Sequence, residues 1–544
     1  MKKSILTIIL IISAAHFAHA QVWQWSVKVD SVASGETRDH PRTFLWIPEN
    51  CRQVRAVVFA QHNMIEEGIL EHPAFRKTMT ELGFAEIWVT PGLDITFDFT
   101  KDAGEDFNYM MRLLAGVSGY GELENVPVIP LGHSAYASFP WNFAAWNPSR
   151  TLALVSVHGD APLTRLTGSG IPNPDWGNRN IDGVPALFIM GEYEWWEDRI
   201  QPGFDYVSKH PLSPISFLAD AGHGHFDYSD EMVEYLCLFI RKAAENRLPA
   251  KMSPGKPNAL KVIDPVRGWL IDRWHKDSLP RAAAAPFKSY TGDRIQVSWV
   301  FDRQMAEETE KFYARARGKI TRRISFEQNG QVLRSDKSHA VYNAMFIPLS
   351  DGISFHLRTF LEDDLAATSI SRRNYSTLSV DRICGPVRKI NDTTFQLSFY
   401  RMGFNNPKRS NDIWLLAHSR SDAVYKSLVQ QLDIRFPLQN EEGRAQKISF
   451  PNIADQPRSI KTITLNAVSD AGLPVRYYIK EGPAIIEGNK IVFTKIPPRS
   501  KFPVKITIVA WQYGTANFPK IKSADPVEQT FYLNSAQISS KITR

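Results

Sequence analysis

The sequence predicts an α/β domain over residues 21–249, then a mixed β-rich domain over 288–455 and a C-terminal β-sandwich over 456–544. Three observations predict this. The 544 residues exceed the roughly 250 to 300 over which one hydrophobic core grows, so roughly two to four domains are expected. Up to about residue 249, short unbroken apolar runs alternate with helical patterns, as when both faces of a parallel sheet are covered. Beyond about residue 288, apolar and polar residues alternate along short segments instead, the pattern of strands with one buried face.

In the first domain, strands are expected at 43–47, 56–60, 86–90, 126–129, 152–157, 186–190 and 215–218, with helices at 73–82, 102–114 and 229–247. Pro127 inside the fourth of these runs is a mild objection to it. Residues 250–287, rich in proline and alanine, read as a linker. Afterwards Ile295/Val297/Trp299, Ile353/Phe355/Leu357 and Phe395/Leu397/Phe399 alternate with polar neighbours. Asn329-Gly330 between two β-like runs signals a hairpin, and a helix is expected at 304–315. The last unit, with Ile463/Leu465/Ala467, Val475/Tyr477/Ile479 and Val504/Ile506/Ile508/Ala510, suggests an Ig-like sandwich.

Residues 1–20 read as a signal peptide: Lys2 and Lys3, an apolar run at 5–12, then Ala18-His19-Ala20 before Gln21. A secreted or periplasmic protein is therefore expected, with an uncleaved anchor as the other reading. No later apolar run reaches the roughly 20 residues a bilayer requires, so no integral membrane segment is expected after cleavage. A net charge of +7 with acidic residues interspersed makes no basic stripe, which argues against nucleic acid as a partner. Cys51, Cys237 and Cys384 are far apart and odd in number, so neither a disulfide framework nor a cysteine metal site is expected. No cofactor is expected.

The chemistry centres on Gly132-His133-Ser134-Ala135-Tyr136, which follows an apolar strand and precedes a segment able to become helical. A serine on such a turn is lifted above the sheet, and the N–H of the next residue, Ala135, faces the oxygen that becomes negative during attack. Here the chain resembles the α/β-hydrolase superfamily, whose elbow reads Gly-x-Ser-x-Gly; Tyr136 replaces the second glycine and crowds the turn. The resemblance covers about residues 21–249 and implies a Ser-His-acid triad with Ser134 as nucleophile.

A serine hydroxyl needs a histidine to take its proton, and that histidine needs a carboxylate to hold its tautomer. The run 186–190 leads into Gly191-Glu192-Tyr193-Glu194, similar to the superfamily's Gly-x-x-Asp turn, which assigns Glu194 as the acid, with Glu192 and Asp160 as alternatives. The run 215–218 leads into Asp220-Ala221-Gly222-His223-Gly224-His225-Phe226, where the superfamily places its base; His225 is favoured, and His223 is the alternative. The resemblance assigns the second oxyanion donor to the backbone of Asn63, or of Met64, beside Ala135. Neither carboxylates nor further histidines at ligand spacing are read around the paired histidines, so no metal is expected. Tyr136, Trp195 and Trp196, with Trp141, Trp146 and Tyr193 nearby, either form a substrate platform or pack.

The expected activity is cleavage of a carboxylic ester, with a small-molecule or polysaccharide ester as substrate. Two further readings stand beside it: a noncatalytic carbohydrate-binding or surface-assembly protein on a hydrolase scaffold, and a serine peptidase. If the β domains serve binding, deleting everything after about Pro249 should spare small-ester turnover yet weaken retention on insoluble polysaccharide.

Overall fold

The computed structural model describes residues 22–164, 171–194, 196–253, 255–335, 341–362 and 378–535. The expected signal peptide and Trp195 lie outside the described residues.

The strands are β1 Trp25–Lys28, β2 Arg42–Trp46, β3 Ala56–Gln61, β4 Phe84–Thr90, β5 Val128–His133, β6 Leu154–Val157, β7 Ala186–Gly191 and β8 Ile215–Asp220. They form one eight-stranded sheet in the order β1-β2-β4-β3-β5-β6-β7-β8. From β3 to β8 the pairings are parallel, while β2 runs antiparallel to β1 and β4. Every residue of β3 to β8 is buried, because both faces are covered and no position is left for a solvent-facing side chain. Pro127 stands one residue before β5, so it removes no donor from the strand interior.

The crossovers carry helices α1 Glu66–Leu70, α2 Pro73–Leu82, α3 Ala103–Ser118, α4 Phe139–Trp146, α5 Trp196–Lys209 and α6 Asp230–Arg247. Each boundary has a local cause. α2 begins with Pro73 at its first position and ends at Gly83, left-handed at φ +69°. The Ser229 hydroxyl caps α6 by accepting from Met232 N–H at 3.0 Å. One apolar cluster joins the sheet to α2 and α6 (Phe75, Met79, Leu236, Phe239), and the other joins it to α3 (Phe107, Met110, Leu114).

The stretch expected as a linker, 250–287, contains the strand Trp269–Asp272, which pairs with Ala285–Pro286 and Val297–Val300. This small sheet and the helix α7 Arg303–Ala314 share the core of the first sheet through Leu270, Trp299, Val300, Met305 and Tyr313. Polar bonds seal the seam: Ser216 Oγ donates to Trp299 O (2.6 Å), and Phe217 N–H donates to Ser298 Oγ (2.8 Å).

Next come three sheets around a third core that includes Phe326, Phe355, Phe395, Leu415 and Leu432. Asn329 and Gly330, both at positive φ (51° and 80°), turn the hairpin between Ile324–Gln328 and Gln331–Val332. Among the described residues of the last unit, a four-stranded and a three-stranded sheet enclose a core of Ile491, Ile506, Ile508, Phe531 and Leu533. No helix among the described residues is long and apolar enough to cross a membrane.

Candidate active site

β5 delivers the chain into a tight turn at Ser134, whose φ of +53° is left-handed and strained for a side-chain-bearing residue. Gly132 makes the turn possible, since a Cβ there would stand 2.1 Å from the Tyr136 carbonyl oxygen. The bulk of Tyr136 is accommodated by Gly92, where a Cβ would come within 2.4 Å of the tyrosine ring. Ser134 Oγ lies 2.6 Å from His225 Nε2, and His225 Nδ1 lies 2.5 Å from Glu194 Oε2. Ser134, Glu194 and His225 follow β5, β7 and β8, so three separate strand ends meet at one rim of the sheet. Residues 22–249 thus form an α/β layer fold that carries this constellation at one rim of its sheet.

No protein-family model and no curated protein sequence matches the chain. Among solved structures, an esterase from the archaeon Pyrobaculum calidifontis is similar at 16% identity over 45% of this chain and 93% of its own, with a TM-score of 0.30. An S-formylglutathione hydrolase from Agrobacterium tumefaciens is similar at 12% identity over 40% of this chain and 94% of its own, with a TM-score of 0.31. A poly(3-hydroxybutyrate) depolymerase from Bordetella parapertussis is similar at 13% identity over 41% of this chain and 90% of its own, with a TM-score of 0.29.

The alternatives for acid and base have other partners. Asp160 pairs with Arg199 (3.3 Å), and Glu192 accepts from Gly222 N–H (2.8 Å) and pairs with Lys426 (3.4 Å). His223 Nδ1 faces Asp227 Oδ1 at 3.0 Å, and Nε2 faces Ser427 Oγ at 3.3 Å. Burial lowers the pKa of His225 to about 3, with Arg199 acting in the same direction, so its ring rests neutral. Burial pushes the Glu194 carboxyl up to about 8, against His158 and Arg199, which oppose the rise. His223 differs: burial would lower it, but Asp220 and Asp227 raise it to about 9.

Two histidines outside the sequence reading hold this base from behind. The His225 carbonyl accepts from His133 Nε2 (2.8 Å) and from His158 Nδ1 (2.9 Å). Burial lowers the pKa of both, so each is neutral and spends its single N–H on that carbonyl. Their only sequence signal was position: His133 precedes the serine, and His158 follows a strand.

The oxyanion loop departs from expectation. The N–H groups of Asn63 and Met64 both donate to Glu66 Oε2 (3.1 and 2.8 Å), while Glu66 Oε1 accepts from His133 N–H (3.1 Å). Glu66 opens α1 and turns back over the helix N-terminus, where amides and the helix dipole favour a carboxylate. Burial raises its pKa to about 7 despite those three amides. Asn63 instead turns its side-chain amide to His133, with Nδ2 3.1 Å from Nδ1.

Nor do the expected platform residues stand open. Trp196 is 8% and Tyr136 7% exposed, which corrects their reading as substrate contacts: the Trp196 ring packs in the core, and the Tyr136 ring lies over Gly92. Trp141 is buried and donates to Asp160 O (2.8 Å), and Trp146 packs on Phe97 and Phe143. Tyr193 is 46% exposed.

Side chains of the β-rich part close over this rim. Arg409 donates to Asn63 O (2.6 Å) and holds Glu36 through two bonds (2.8 and 2.9 Å). The Trp414 ring lies 5.1 Å from that of Phe226, the residue after His225. Arg382 and Arg401 both pair with Glu67 of α1, the former at 3.1 Å, and Arg401 also reaches Glu71 at 2.7 Å. The helix that carries Glu66 is thus clamped from outside.

Proposed function

We propose that the protein is a serine carboxylic ester hydrolase working through Ser134, His225 and Glu194. One observation carries this reading: the unbroken contact from Ser134 Oγ to His225 Nε2 (2.6 Å) and from His225 Nδ1 to Glu194 Oε2 (2.5 Å). His225 takes the Ser134 proton as Oγ attacks the ester carbonyl carbon, and Glu194 stabilises the imidazolium that forms. The imidazolium then returns the proton to the departing alcohol, leaving an acyl-serine. Water, activated by the same imidazole, attacks that ester and frees the acid.

The Ala135 N–H supplies one oxyanion donor. Asn63 N–H supplies the second once it leaves Glu66 Oε2, on which it rests (3.1 Å). We further propose that the substrate is an acyl ester on a polysaccharide or its fragments, and that the protein acts in the periplasm or outside the cell. The leader-like residues 1–20 and the β-rich units support this, the last of which we read as an Ig-like β-sandwich.

The test is a panel of nitrophenyl, acetyl-xylan and feruloyl esters assayed on residues 21–544. Ser134→Ala should lose about 10³-fold or more in kcat and all labelling by a fluorophosphonate. Undiminished turnover in Ser134→Ala would end the reading.

A further inference from the structure

Behind the base, the loop from Asp220 to Asp227 gathers metal-binding atoms that the hydrolytic reaction leaves unused. Asp220, His223 and Asp227 each offer one ligand atom, all within 4.8 Å of one another. His223 Nδ1 lies 3.0 Å from an Asp227 oxygen and 3.8 Å from Asp220 Oδ2. His158 Nε2, from the end of β6, stands 3.9 Å from the same Asp220 Oδ2. No carboxylate or histidine cluster at ligand spacing is read around the paired histidines; folding brings Asp220 and Asp227 to His223, because the loop curls back on itself.

All four side chains are buried, at 0% exposure for His158 and Asp227, 1% for Asp220 and 3% for His223. Among the described residues, His158 Nε2 and Asp220 Oδ2 find no hydrogen-bond partner. Each such orphan costs about 1–3 kcal/mol, and these two face each other. Two unlike groups left bare at one buried point call for something that accepts both lone pairs.

We propose that this point is a structural zinc site, with Asp220, His223 and Asp227 as ligands and His158 Nε2 moving inward from beside Asp220 Oδ2 to close the fourth position. Ligand bonds of about 2.0–2.2 Å place tetrahedral donors roughly 3.3–3.6 Å apart, close to the 3.0 and 3.8 Å from His223 Nδ1 to the two carboxylates, while His158 Nε2 already stands 3.9 Å from one of them. Imidazole nitrogens mixed with carboxylates suit zinc; calcium takes 6–8 oxygens and magnesium demands an octahedron of them. A divalent ion also balances two buried carboxylates.

The outer contacts are those that zinc ligands require. His158 gives its other nitrogen to the His225 carbonyl (2.9 Å), His223 gives its own to Ser427 Oγ (3.3 Å), and the second Asp227 oxygen accepts from Gly224 N–H (3.1 Å). The ion would staple the base loop to β6 without touching Ser134. It therefore stands independently of the proposed hydrolysis. A proton on His223 is the competing occupant.

The experiment uses the full chain, purified, stripped with a strong chelator and then dialysed against zinc, calcium or buffer alone. Elemental analysis should find about one zinc per chain after zinc. Thermal unfolding should shift upward with zinc and not with calcium. The variant His223→Gln/Asp227→Asn should hold no zinc; wild-type protein already answers the question should that variant misfold. Zinc-treated wild type holding less than about a tenth of an equivalent, with an unmoved transition, would overturn the site in favour of the proton. Full zinc retention in the variant, or calcium binding alone, would overturn it equally.

Discussion

Replacing Arg401 with methionine tests how strongly the two halves of the chain are bound together. The Arg401 side chain is 7% exposed and pairs with Glu67 and, at 2.7 Å, with Glu71; Glu67 is wholly buried. Its guanidinium also lies over the rings of Trp23 (5.7 Å), Tyr400 (5.6 Å) and Trp88 (6.0 Å). Methionine keeps most of the volume and removes the charge. Glu67 then retains Arg382 at 3.1 Å, but burial and the neighbouring Glu71 already raise its pKa. Breaking a buried pair from one side costs about 3–5 kcal/mol, chiefly because the abandoned carboxylate stays buried. The double variant Arg401→Met/Glu67→Gln removes that orphan and should recover all but about 1–2 kcal/mol. Urea unfolding followed by tryptophan fluorescence reads the effect, with Trp23 and Trp88 as reporters beside the clamp. A loss below about 1 kcal/mol in Arg401→Met, or no recovery in the double variant, would refute the reasoning.

Three further outcomes follow from the same contacts. Glu36 is held down to a pKa of about 2: burial opposes this, but the Arg409 hydrogen bonds and charge outweigh it. Its folded pKa is depressed from 4.5, so its contribution is complete above about pH 4.5 and is lost as pH falls toward 2. At 1.36 kcal/mol per unit it is at most about 3 kcal/mol; urea midpoints between pH 7 and 3 should fall less steeply in Glu36→Gln. Gly132→Ala should cost about 3 kcal/mol, the upper end for overpacking, because the colliding atom is backbone. It should also slow fluorophosphonate capture at Ser134, and normal labelling would contradict the elbow geometry. A chain ending at residue 249 should be insoluble or unlabelled, since it exposes the core shared with Leu270, Trp299 and Tyr313. That outcome reverses the expectation that small-ester turnover survives truncation, and an active, monomeric fragment would restore it.

The strands buried on both faces were legible because their composition is set by burial alone: 56–60 and 186–190 fall within β3 and β7. β1 was not, since Trp25–Lys28 is a four-residue edge strand with three of its residues at least partly exposed. Ser134, Glu194 and His225 stood out as chemistry-bearing residues just beyond strand ends. That the Asn63 amide belongs to Glu66 was legible only as a helix-entry pattern, an Asn followed three residues later by a Glu, which reads equally well as the start of α1. The aromatic residues around the acid misled for a related reason: tryptophan serves a core and a platform equally well, and Trp196 serves the core. Least legible were Arg382, Arg401 and Arg409, whose partners lie more than 300 residues earlier.

The base loop carries one contact whose consequence concerns time rather than space. Gly222, at φ +87°, lies so close to the backbone of Ser427 that an added Cβ would stand 2.9 Å from its carbonyl oxygen. Those two residues leave the ribosome about 10–40 s apart at ordinary synthesis rates. Through that interval Ser134 and His225 exist without the wall that later encloses them. The nascent first half thus waits unfinished, its apolar surface uncovered until Leu270, Trp299 and Tyr313 arrive to complete the core.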